Sequence, residues 1–262
     1  MSDDTESRVE RLLADATGTL KPASLWLVAT CIPDEKALLN LDPGSSSRVQ
    51  NWLCQEAGNW PAPLNVGEYF CESLHNDRLV FASPPEGGPG PAYHVELGSD
   101  GSSLTAVQVG NLKESGTGQG AIWAIGEGSI AWLTVCFVRL AAEWAAQAGV
   151  QGSAFIDLRL LSSVQTDDPP RLQMWNFANG TNGPCSDVRP MIHPSARSFD
   201  LAAGRKGEVT QIARSLLLPV LAEFGLVDSR HIDAHGTIIS ANFVGHAPQI
   251  ATWAQAIGAT FR

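Results

Sequence analysis

The feature that most constrains this chain is the run SIAWLTVCFVRLAAEWAAQAG, Ser129 to Gly149. Ile130, Leu133, Phe137, Leu140 and Trp144 recur with helical spacing, while Trp132, Val135 and Val138 fill the flanks, so the run predicts a helix buried on more than half its circumference. Ser129 is the expected N-cap and Gly149 the expected stop. A helix this apolar needs neighbours on several sides, which requires a sizeable fold around it. The 44% hydrophobic and 17% charged content supplies one.

The surrounding segments read as strands and shorter helices. Glu6 to Ala14 can form a short amphipathic helix, after a polar Met1 to Glu6 read as a frayed terminus without the features of a secretory leader. Leu25 to Ile32 is a nearly continuous apolar run with β-branched members, a buried strand closed by Pro33-Asp34. Leu39 to Leu41 is a second short strand. A helix follows, capped from Ser45 to Ser47, with Val49, Trp52 and Leu53 on one side and Gly58 and Pro61 closing it. From Leu79 onward, LVFA, AYHVELG and SLTAVQVG predict an antiparallel meander, with Asp100-Gly101 in a tight primed turn.

Gly110 to Gly120 reads as a loop, Ala154 to Ser163 and Arg171 to Phe177 as strands, and Ala178 to Ala203 as the longest irregular region. Glu208 to Phe224 predicts a second long helix, bent at Pro219 and ended by Gly225. Thr237 to Val244 is a last strand, and Pro248 to Ala256 a final helix. Together these predict an α+β fold: a mostly antiparallel sheet covered by two long helices, with a β-rich first half. Residues 1–262 are expected to form a single compact domain, with a division near Gly120 as the alternative.

Function is less legible. The longest uncharged apolar stretch, Ile130 to Val138, covers about nine residues where a membrane span takes roughly 20, so no membrane role is expected. Five widely spaced cysteines without a CxxC pair fit reduced thiols in a cytoplasm. A net charge of −10 and scattered arginines disfavour nonspecific nucleic-acid binding. No motif calls for a cofactor.

His231-Ile-Asp233-Ala-His235 is the sharpest candidate, because three ligands at alternate positions of an extended segment project to one face and could hold a catalytic metal. The simpler account is a solvated loop or edge strand, since Gly236 suggests a turn. Cys185, Asp187 and His193 share the long irregular region and could form a thiol–imidazole pair. A plain loop cysteine explains Cys185 equally. Gly116-Thr-Gly118-Gln-Gly120 has the composition of a phosphate-cradling loop but lacks a strand directly before it and a helix directly after. Of the eight tryptophans, Trp60 and Trp175 are the least clearly assigned to a core.

The stretch LWLVATCIPDEKALLNLDPGSSSRVQNWL, with AYHVELGSDGSSLTAVQVG and IAWLTVCFVRLAAEWAAQAGVQGSAFIDLRLL, resembles a region of actinobacterial proteins that carry a Schlafen-type AlbA-like domain. That resemblance spans roughly Leu25 to Leu161 and contains no catalytic motif. It implies an accessory module that follows a nucleic-acid-binding domain in such proteins. The AlbA-like part is not recognisable in this chain, so no binding residues carry over. The sequence therefore favours a non-enzymatic interaction or regulatory module with a protein partner or self-association. A metal-dependent hydrolase using His231, Asp233 and His235, and a nucleic-acid-associated accessory protein, are the alternatives.

Overall fold

A computed structural model describes residues 3–20, 24–37, 39–58, 70–75, 77–83, 92–113, 121–162, 170–177, 182–190, 192–243, 245 and 247–262. The elements in chain order are α1 (Asp3–Thr17), β1 (Leu25–Pro33), α2 (Pro43–Gly58), β2 (Phe70–His75), β3 (Arg78–Ala82), β4 (Tyr93–Gly98), β5 (Ser103–Gln108), β6 (Asn111–Lys113), β7 (Ile122–Gly126), α3 (Glu127–Gln147), β8 (Ser153–Ser162), β9 (Leu172–Asn176), β10 (Gly183–Pro184), β11 (Ser195–Asp200), α4 (Leu201–Gly204), α5 (Val209–Glu223) and α6 (Ala247–Ile257).

The central helix is α3, with 16 of its 21 residues buried. It has the length and composition of a membrane span, but 83% of that stretch lies inside the protein, where it serves as the core helix. It begins at Glu127, two residues before the expected cap. β7 runs straight into it through Gly126, which offers no side-chain cap. Its end follows expectation, with Gly149 left-handed at φ 83°.

β1 lies within a seven-stranded sheet ordered β11-β8-β1-β5-β4-β3-β2, in which every pairing is antiparallel. All nine residues of β1 are buried. Leu25, Leu27, Ala29 and Cys31 face the main core with α3, whereas Trp26, Val28 and Ile32 meet Val9, Leu12, Leu13 and Ala16 of α1. Helices thus lie on both sides of the strand, which is why its sequence does not alternate.

The α+β architecture is as expected, but its covering helices differ in one respect. α5 packs on α3 and along β11, while the opposite sheet face is covered by α1, which starts at Asp3 and so takes in much of the supposed frayed terminus. The meander β3-β4-β5 is present. Its Asp100-Gly101 turn is not primed: only Gly101 has positive φ, 82°, and the Gly98 N–H donates to Ser102 O across a three-residue loop. Asp42, not Ser45, caps α2; its Oδ1 accepts the Ser45 N–H at 2.8 Å.

A smaller sheet, β10-β9-β7-β6, contains the one parallel strand pair among the described residues, β7 with β9; the only other parallel pairing among them is an isolated bridge, Ile238 with Phe261. Asn111 to Lys113 is strand where a loop was expected. The region 178–203 holds β10, β11 and α4 within its described part. Neither Leu39 to Leu41 nor the described part of Thr237 to Val244 is a strand. The second makes isolated bridges and a 3-10 turn at Ser240–Asn242, with Val244 outside the described residues. One hydrophobic cluster runs from Leu25 to Ala259 and takes side chains from both sides of Gly120.

Trp144 joins the core helix to the meander. It is 1% exposed, and its Nε1 donates to Gly98 O at 3.0 Å. Trp144→Ala should cost about 3–5 kcal/mol of unfolding free energy, the range for emptying a buried aromatic site. Trp144→Phe should cost about 1–2 kcal/mol, mainly the lost hydrogen bond. Urea titration of the two variants checks both values.

Candidate functional site

The His-x-Asp-x-His segment does not stay extended. Gly236 turns it at φ 78°, the Asp233 N–H donates to Thr237 O at 2.9 Å, and Ile232 bridges back to Ile238. Asp233 spends its carboxylate on that turn: Oδ1 accepts the N–H groups of His235 and Thr237, both at 2.9 Å. His235 is exposed, and its carbonyl accepts from Gln211 Nε2. His231 alone points inward, 3% exposed. Among the described residues no group of three or more His, Cys, Asp or Glu is placed to hold a metal.

His231 instead meets a residue that the sequence had not singled out. Its Nδ1 lies 3.2 Å from Oε1 of Glu127, the first residue of α3, and its Nε2 lies 3.1 Å from Asn242 O. Both facing atoms are acceptors, so the two hydrogen bonds form together only on the doubly protonated ring. The Arg230 N–H donates to the same Glu127 oxygen at 2.8 Å. Glu127 is 1% exposed, and its Oε2 has no hydrogen-bond partner.

Burial pushes the Glu127 carboxyl up, but hydrogen bonds from His231 and the Arg230 N–H and the charges of both residues outweigh it and hold it below its usual value. The positive end of the α3 dipole acts in the same direction. Packing holds the imidazole in place. The Ser229 hydroxyl accepts the His231 N–H at 3.1 Å, and Phe243 meets the ring edge-on at 4.7 Å between centroids. Phe243 continues to Trp132 at 5.6 Å and Trp132 to Trp253 at 4.9 Å, which ties α6 to the same face of α3. A Cβ at Gly128 would stand 2.8 Å from His231 Nε2, so this close approach requires glycine.

The outer side of this junction is the exposed face of the small sheet. Gly126 is opposite Trp175 in the β7–β9 register, and a Cβ on Gly126 would touch the Phe177 ring at 3.4 Å. Trp175 and Phe177 stack with centroids 6.1 Å apart and planes inclined by 28°, and Lys113 Nζ sits 5.8 Å from the centre of the Trp175 ring. Gln173 fixes the indole: its Oε1 accepts from Trp175 Nε1 at 3.2 Å, while its own Nε2 donates to Ser186 O at 3.0 Å. Phe177 is 41% exposed; Leu112 on β6, 58% exposed, is in register with Trp123 and Leu172 and so belongs to the opposite face.

Cys185 borders this patch, its N–H donating to Met174 O. Burial raises its thiol and the charge of Glu127 raises it further, against a smaller opposite effect of Arg230. A thiol raised in this way stays protonated at neutral pH and is a poor nucleophile. His193 is turned elsewhere, 86% exposed beside Glu223 at 3.0 Å, and Asp187 is exposed. The three residues of that group are not joined by a hydrogen bond. Gly116, Gly118, Gly120 and Trp60 lie outside the described residues.

Two sequence signals could have found this junction: the lone acid of IGEGS between an apolar strand and an apolar helix, and a Trp-x-Phe pair at strand spacing. A carboxyl held below its usual value stabilises the fold above the unfolded value, near 4.5, and that contribution is lost as pH falls through the folded value. Glu127→Gln should therefore lower stability at pH 7 by about 3–5 kcal/mol, as for a buried pair deprived of one partner. The same variant should lose less than the wild type on acidification below 4.5. Gly128→Ala should lower stability as well, through the displaced imidazole. Urea titrations between neutral and acid pH check all three outcomes.

No family model, curated protein or solved structure matches the chain.

Proposed function

We propose that this protein is a non-enzymatic interaction module that receives an extended segment of a partner protein on the outer face of its small sheet. The observation that carries this reading is the Trp175–Phe177 stack, with Phe177 exposed and Lys113 over the Trp175 ring. Aromatic side chains with a cation at the rim are typical anchors of protein interfaces. Gln173 holds the indole from the side and the Phe177 ring lies over Gly126, so little ordering is left to binding.

β6 adds a route for backbone pairing. It is three residues long, fully exposed, and among the described residues it pairs only with β7. A segment laid along it would form main-chain hydrogen bonds, place an apolar side chain against Phe177, and set a carboxylate near Lys113. A second copy of this chain fits less well, because each copy carries a net charge of −10 and the two would repel.

A photo-crosslinking residue at the exposed position 111, on the same sheet face as Gln173 and Trp175, compared with one at the 98% exposed Val227, tests the reading in cells that produce the protein. The expected result is a discrete protein adduct at position 111 that disappears in a Trp175→Ala, Phe177→Ser background and is absent at position 227. Equal labelling at both positions, an adduct only with a second copy, or an adduct with nucleic acid would contradict it.

A further inference from the structure

The sheet face covered by α1 differs from the face covered by α3. Under α3 the sheet is mostly apolar, with the small Ser103 and Thr105 among its buried residues, whereas under α1 it carries His94, Glu96, Asp157 and Thr30, all buried. α1 is tied over this face by three ion pairs: Arg8–Asp100 at 2.7 Å, Glu10–Arg159 at 2.6 Å and Asp15–Arg78 at 3.4 Å. Between the helix and the two nearby turns remains an open cleft of about 410 Å3. That volume is within the range of roughly 300–1,000 Å3 found for small-molecule sites.

The cleft is built from one helical stripe and two loops. Arg8, Arg11 and Asp15 line one wall, and Asp77, Ser99 and Asp100 line the other. The Ser99 N–H donates to Asp77 O at 2.8 Å and locks the two turns side by side. Asp77 is the one non-glycine residue with positive φ, 60°, among the described residues. An aspartate tolerates that conformation, and such outliers concentrate where a side chain must be aimed.

Most charges in the cleft are already matched. Arg8 is taken by Asp100, and Arg78 by Glu96 at 3.1 Å and Asp15, with His94 bonded behind Glu96 at 2.9 Å. Two groups are left without an ion pair among the described residues: Arg11 on the helix wall and Asp77 on the turn wall. They are opposite in sign and belong to different walls. A simple anion would find Asp77 repulsive, and a simple cation would find Arg11 repulsive.

We propose that this cleft binds a small zwitterion of the α-amino acid or dipeptide class, with its carboxylate on Arg11 and its ammonium on Asp77. The Ser99 and Ser102 hydroxyls and the remaining donors of Arg8 and Arg78 supply further polar contacts. This proposal is independent of the partner surface on the small sheet, which uses other residues.

Isothermal titration of the intact chain with each of the common free amino acids and with glycylglycine tests the proposal, with acetate and methylamine as the separated halves. At least one zwitterion should bind, and neither half alone should bind comparably. Arg11→Gln and Asp77→Asn should each weaken binding by roughly tenfold, the loss of one charge-assisted contact. Asparagine tolerates the left-handed backbone at position 77, and both side chains are unpaired, so both variants should unfold at the wild-type urea concentration. No heat with any zwitterion at about 10 mM, a weak affinity on any scale, would overturn the proposal. Binding of acetate as tight as that of an amino acid, or affinity unchanged in both variants, would overturn it equally.

Discussion

A 21-residue helix buried along most of its length must be enclosed, and its first residue is an acid. Glu127 cannot be taken from water alone, because a buried charge without a partner costs several kcal/mol. His231 and the Arg230 N–H are the partners it finds, more than a hundred positions away in the chain. Much of the second half of the fold follows from that pairing. It draws residues 229–243 across the start of α3, sets Phe243 against Trp132, and lets α6 complete the enclosure through Trp253. The β7–α3 junction so held is the floor on which Trp175 and Phe177 rest.

The large sheet separates two environments in a similar way. β1 is buried throughout because α3 lies on one side and α1 on the other, but the two sides are not equivalent. The α3 side is mostly apolar and carries no charged residue from β1, β4 or β5. The α1 side relies on buried His94–Glu96 and on ion pairs from helix to sheet, and a helix tied through side-chain heads leaves room beneath its polar stripe. The cleft at Arg11 and Asp77 is a consequence of that looser attachment. The two candidate surfaces therefore arise from the same architecture at different places.

Much of the fold was legible in the sequence where one physical signal dominated. The continuous apolar run of β1, the stripe of α3, the alternation of AYHVELG and the stop at Gly149 each state their structure locally. Legibility failed where long-range contacts decide. β11, with sequence SARSFD, buries only Ser195 and Phe199 and gains its strand character from pairing with β8. The polar residues of β4 are the outward half of an alternating pattern, yet α1 buries them. Of the candidate site, the sequence offered His231 as a candidate metal ligand and left Trp175 among the aromatics least clearly assigned to the core. It could not reveal that His231 belongs to Glu127 while a turn carries Asp233 and His235 away, because spacing alone does not report where Gly236 reverses the chain.

The central claim is that the Glu127–His231 pair supports the small sheet and its aromatic face. Residue-resolved amide hydrogen exchange on the wild type and on His231→Ala, under conditions where both are folded, tests it most directly. Protection should fall at the Arg230 amide, which donates to Glu127, and at the amides of Trp123 and Leu172 in β7 and β9, while the β1 amides keep theirs. Unchanged exchange at Arg230 and β9, or an even loss across both sheets, would contradict it.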